Sequence, residues 1–134
     1  MIVADTNLIV DLFIEDPANR LADAVFARDP MWAAPVLWRS EFRNTLSRIV
    51  RRRLLPLEDA IVMANEAERL LAGREHTVTA HRVFRLAAVS GCSAYDCEFV
   101  TLAEDLGVSL VTSDSQVVRA FPALALTPER FLAA

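Results

Sequence analysis

Short apolar runs alternate along this chain with longer segments of helical period, and that alternation restricts the fold to strands joined by helical crossovers. The runs are Ile2-Val3-Ala4, Trp32-Ala33-Ala34, a brief stretch at His76-Thr77-Val78, Val108 to Thr112, and Ala123 to Leu126 as an edge strand. Between them, helices are expected from about Leu8 to Ile14, from the Asp16-Pro17 cap to the Asp29-Pro30 stop, from about Pro35 to Arg53 and from Leu57 to Leu71. Further helices are expected over Thr79 to Ser90, Ala94 to Leu106, Ser115 to Ala120 and after the Thr127-Pro128-Glu129 cap. Crossovers of this kind yield an α/β fold: a mostly parallel central sheet of four or five short strands flanked by helices.

One domain over residues 1–134 accounts for the length, and a chain 54% hydrophobic with 3 Gly and 6 Pro buries enough surface to offset its ordering entropy. No apolar run approaches the roughly 18 residues that cross a bilayer. The Met1-to-Asp5 start lacks the features of a secretory signal, so a cytoplasmic protein with no membrane partner is expected. Cys92 and Cys97 are too few for a disulfide framework. His76 and His81 have no Cys pair beside them, which argues against zinc. All 14 basic residues are Arg against 18 acids, so any polyanion must be held locally. A positive mean hydropathy in so small a chain predicts a partner or self-association surface.

In open parallel sheets, ligands bind beyond the carboxyl ends of the strands. Two of the clearest strands run into Asp5 and into Thr112-Ser113-Asp114, which should bring both carboxylates to one cleft. At about 100° per residue, Tyr95, Phe99, Val100, Leu102, Ala103 and Leu106 define the apolar arc of the 94–106 helix. Asp96 points into that arc, whereas Glu98, Glu104 and Asp105 fall on the solvent side. Glu41 borders the apolar face of the long helix carrying Trp38, Phe42, Leu46 and Ile49. Each acid has a structural explanation of its own. Asp5 and Asp114 can cap the helices that follow them, Asp96 favours a helix N-terminus, and Glu41 can pair with a neighbouring Arg. Convergence of all four is the functional alternative. Carboxylates brought together without His or Cys repel one another, and hard divalent ions such as Mg²⁺ or Mn²⁺ relieve that repulsion. Ions of this kind suit phosphodiester hydrolysis.

Asp5-Thr6-Asn7 after an N-terminal strand, Ser40-Glu41 early in a long helix, Ser93-Ala94-Tyr95-Asp96 opening a helix that runs into Leu102-Ala103-Glu104, and Leu110-Val111-Thr112-Ser113-Asp114 together resemble a PIN-domain ribonuclease of the VapC toxin type. The resemblance covers essentially the whole chain. It implies a Mg²⁺- or Mn²⁺-dependent endoribonuclease in which Asp5, Glu41, Asp96 and Asp114 bind metal, with Asp5 and Asp96 central. Thr6, Asn7 and Thr112 are implied as supporting polar residues. Gln116 stands where some relatives place a further acid. RNA is the implied substrate, a cognate antitoxin the implied partner, and a homodimer the implied assembly.

The Arg48, Arg51, Arg52 and Arg53 cluster reads either as an RNA or partner contact or as a solvated helix C-terminus, where cations are favoured anyway. Tyr95, Trp32 and Trp38 are expected to fill core or interface, with base stacking as the alternative. Two other classes of function remain open. One is a catalytically degenerate PIN-like binding module stabilised by a partner. The other is an aspartyl-phosphate enzyme using Asp5, which is disfavoured because no Lys occurs in the chain.

Overall fold

A computed structural model describes residues 1–134. Five strands, β1 (Ile2–Ala4), β2 (Trp32–Pro35), β3 (Glu75–His76), β4 (Leu110–Val111) and β5 (Ala125–Leu126), form one sheet in the order β3-β2-β1-β4-β5, and every pairing is parallel. Seven α-helices make the connections, α1 (Thr6–Phe13), α2 (Arg20–Arg28), α3 (Trp38–Arg51), α4 (Leu57–Leu70), α5 (Ala80–Ser90), α6 (Ala94–Leu106) and α7 (Ser115–Ala120), and an eighth, α8 (Pro128–Ala133), follows β5. No helix is long and apolar enough to cross a membrane.

Ile2, Val3 and Ala4 are buried, as a strand covered by helices on both faces requires. Val3 pairs with Leu110 and Ala4 with Val111, which sets the ends of β1 and β4 level. From β1 the chain moves outward to β2 and β3, then returns to lay β4 and β5 on the opposite side. This reversal opens a crevice at the carboxyl ends of β1 and β4. Trp38 and Phe42 of α3 anchor the core, with ring centroids 5.5 Å apart, and Phe13 packs edge-on against Phe42 at 6.2 Å. Trp32, expected in core or interface, is fully buried against Phe26.

Several boundaries differ from the sequence-based expectation for local reasons. The long helix begins at Trp38 rather than near Pro35, because Pro35 stays extended in β2 and pairs with His76. That pairing also moves β3 to Glu75–His76, one residue ahead of the expected run. Pro17–Asn19 forms a separate 3-10 turn capped by Asp16, and α2 starts only at Arg20. The centre of α6 is buried on all sides from Phe99 to Ala103, including Thr101, so its apolar arc is wider than periodicity indicates. Tyr95, placed on that arc, is 62% exposed rather than in the core, because it lies in the first turn of α6, beyond the covered centre.

Candidate active site

The crevice takes its polar lining from four separate segments. Asp5 follows β1 directly and acts as N-cap of α1, its Oδ1 accepting from the Thr6 backbone N–H at 2.7 Å. Its Oδ2 accepts from the Thr112 hydroxyl at 2.7 Å, so both carboxylate oxygens are held. Glu41, in the first turn of α3, accepts the Thr6 hydroxyl at 2.7 Å on Oε1. Thr6 therefore bridges two acids through different atoms. Ser93 caps α6 by accepting the Asp96 backbone N–H at 3.0 Å, which places Asp96 in the first turn over the crevice. Asp114 caps α7, accepting from Gln116 N–H at 2.9 Å, while its own N–H donates to the Thr112 hydroxyl oxygen at 3.1 Å. Thr112 thus ties the ends of β1 and β4 together. The structural role expected of Asp5 and Asp114 as caps is real, and it coexists with their convergence.

Asp5, Glu41, Asp96 and Asp114 all line a single cavity of about 220 Å³ that contains no apolar side chain. Thr6 and Asn7 line it too, with Asn7 exposed to solvent. Thr112 lies beneath, buried and bonded to Asp5. None of the chain's ion pairs involves any of the four acids. Burial raises the proton affinity of Asp5 above the ordinary carboxylate range; the bonds from Thr112 and Thr6 oppose this, and the charges of Asp96 and Asp114 add to it. Glu41 is raised by burial, opposed by Thr6 and reinforced by Asp5, Asp96 and Glu98. Asp96 is raised by burial, opposed by Ser93 and reinforced by Asp114. The acids sense one another, and no basic side chain is paired with them.

No three His, Cys, Asp or Glu side chains close together as a ready-made metal cluster. The donor set nevertheless fits a hard divalent ion: four carboxylates line a cavity free of His and Cys.

The structure separates the expected arginine cluster. Arg48 lines the acidic cavity. Arg51 instead borders an apolar groove of about 330 Å³ between α3 and α4, with Val50, Leu57 and Ile61. Arg52 and Arg53 are exposed where α3 ends. Two cavity residues, Asn44 and Thr45, were missed from the sequence. Their signal was their spacing, since positions three, four and seven beyond Glu41 share its helix face. Glu98, expected on the solvent side of α6, is half-buried and its proton affinity is raised by burial.

An all-parallel α/β sheet with acids gathered at its topological switch point defines the class, and the PIN domain family matches residues 2–121. The chain belongs to the PIN domain family. Ribonuclease VapC3 from Pyrobaculum aerophilum is 29% identical over 130 residues, covering 95% of this chain and 98% of that protein. A solved protein from the same organism superposes with a TM-score of 0.76 at 19% identity, over 98% of this chain and 85% of its own. A toxin-antitoxin complex from Klebsiella pneumoniae gives 0.72 at 17% identity, over 96% of this chain and 98% of the matched one. The two structural likenesses concern the fold.

Proposed function

We propose that this protein is an endoribonuclease dependent on a divalent cation, Mg²⁺ or Mn²⁺, and that it serves as the toxin of a toxin-antitoxin pair. The observation that carries this reading is the meeting of Asp5, Glu41, Asp96 and Asp114 in one polar cavity without a paired cation. The similarity to a protein named as a ribonuclease supports RNA as the substrate. The likeness of the fold to a solved toxin-antitoxin complex supports a cognate antitoxin as partner.

Asp5 and Asp96 would hold the metal centrally, with Glu41 and Asp114 completing its oxygen shell. A bound divalent cation supplies charge neutralisation at a phosphodiester, which lowers the barrier to attack by water. The chain's own groups prepare that site. Thr112 and the Thr6 N–H fix the two oxygens of Asp5, so the carboxylate enters the cavity in one orientation. Thr6 aligns Glu41 with Asp5 across the crevice. Asn7, exposed at the cavity edge, offers an amide to the approaching substrate.

Exposed apolar residues outside the site, among them Leu57 and Ile61 on α4 and Phe84 and Val89 on α5, supply surface for the antitoxin and for a homodimer. The setting is the cytoplasm. Cleavage of single-stranded RNA, followed with Mg²⁺, with Mn²⁺ and with chelator for the wild type and Asp96→Asn, tests the reading. Metal-dependent cleavage that disappears in the variant is expected. Intact partner binding with neither cleavage nor metal binding would instead identify a degenerate binding module.

A further inference from the structure

Four acids that bind metal leave a question about the substrate, because RNA is itself a polyanion and must enter a negative cavity. One cation stands on the cavity wall. Arg48 lies on the same face of α3 as Glu41, with Asn44 and Thr45 between them, and all four line the cavity. Seven residues along a helix correspond to about 10 Å, so the Arg48 backbone sits two turns from that of Glu41. Its side chain is exposed and enters none of the chain's ion pairs, although four carboxylates share its cavity. A guanidinium held as an internal counter-ion would be paired with one of them. Arg39, Arg43 and Arg82 are all paired with acids in this way. A cation that only favours the helix C-terminus has no need to face this cavity, and Arg51 in the same last turn faces another groove.

We propose that Arg48 is a substrate-positioning residue that holds an RNA phosphate beside the scissile one, with Asn44 and Thr45 forming a polar track between that phosphate and the carboxylates. The proposal rests on the nuclease reading and adds a direction to it: the RNA strand runs along α3, from Glu41 toward Arg48. A guanidinium binds a phosphate through paired N–H donors, which fixes the strand's register as well as its charge. Such a contact acts on binding of substrate in both ground and transition states, so its loss raises KM more than it lowers kcat.

The test uses a labelled single-stranded oligoribonucleotide and follows its binding by anisotropy over a range of salt, with Ca²⁺ as a hard cation. Parallel cleavage kinetics are measured in Mg²⁺. The wild type is compared with Arg48→Gln, Arg48→Lys and Arg52→Gln. Arg48→Gln should bind roughly tenfold more weakly, as expected for loss of one charge-assisted contact. The slope of log affinity against log salt should fall by about 0.7, the value of one phosphate contact on a single strand. Arg48→Lys should recover part of the affinity by keeping the charge without the fork. Mn²⁺ affinity and melting temperature should match the wild type in both. Equal binding and salt slope in Arg48→Gln and wild type, or an equal loss in Arg52→Gln, would overturn the proposal and leave the nuclease reading standing. A wild type that neither binds nor cleaves the RNA would overturn both.

Discussion

The Thr112 hydroxyl donates to Oδ2 of Asp5 at 2.7 Å, joining residues 107 positions apart at the ends of two neighbouring parallel strands. The same hydroxyl oxygen accepts the Asp114 N–H. One small side chain therefore sets the spacing of two acids. Thr112→Val keeps the shape and removes both bonds. It is expected to weaken Mn²⁺ binding or RNA cleavage by about 10–100-fold, the usual cost of losing a group that orients a metal ligand. Calorimetric titration and cleavage rates at saturating metal separate the two effects.

Clustering the acids costs stability in the metal-free chain. Burial keeps Asp5, Glu41 and Asp96 protonated to higher pH in the folded state than in the unfolded one. Such groups favour folding fully below the unfolded carboxylate range, and that contribution is lost as pH rises through the raised folded value. Metal-free Asp96→Asn should therefore melt close to the wild type at pH 4 and above it at pH 7. Adding Mn²⁺ at pH 7 should raise the wild-type melting temperature more than that of the variant. Thermal melts at the two pH values, with and without metal, check the sign. A gap that closes with rising pH would contradict it.

Glu75 works in the opposite direction. Its bonds to Arg39 hold its carboxyl below the ordinary range, with Trp38 contributing a further hydrogen bond. This pair favours folding above the unfolded Glu range and stops doing so as pH falls through the lowered value. The site's acids and the Arg39–Glu75 pair thus tilt the pH profile in opposite senses.

The end of α3 holds Arg53 at φ 58°, with Leu54 N–H bonded to Ile49 and Arg53 N–H bonded to Val50. This is a Schellman ending with an arginine where glycine is usual. An L-residue there costs about 1–2 kcal/mol, and glycine recovers that less about 0.5–1 kcal/mol of added unfolded-state entropy. Arg53→Gly should stabilise the chain by roughly 0.5 kcal/mol in denaturant melts, with RNA cleavage unchanged.

Core and surface aromatics should separate cleanly. Phe42, buried between Phe13 and Trp38, should cost about 3–5 kcal/mol on truncation to Ala. Tyr95→Ala should stay within about 0.5 kcal/mol of the wild type, because the ring is mostly in solvent. Urea unfolding of the two variants measures both.

Much of this architecture was legible in the sequence because its signals are local. Ile2–Ala4, Ala94–Leu106 and Ser115–Ala120 fall where the apolar run, the Ser93 cap with Gly107, and the Asp114 cap place them. The convergence of Asp5, Glu41, Asp96 and Asp114 on one cavity follows from strand ends and helix starts. What escaped depends on tertiary packing. Pro35 resembles a helix start locally, since nothing near it in the chain announces that β3 holds it in the sheet. Tyr95 is exposed and Glu98 half-buried, against the faces their period assigns, because α6 is covered along its middle while its outer side is open near Tyr95. The separation of Arg48 from Arg51 turns on which groove each faces, and four neighbouring arginines look alike until α4 is in place.

The central claim, that distant acids are folded into one divalent-cation site, is tested most directly by soaking a crystal of the protein in Mn²⁺ and locating the ion by its anomalous signal. The ion should lie among these carboxylates, with oxygens of Asp5 and Asp96 at about 2.0–2.3 Å. An ordered ion bound elsewhere, or none near Asp5 and Asp96 at saturating Mn²⁺, would contradict the account.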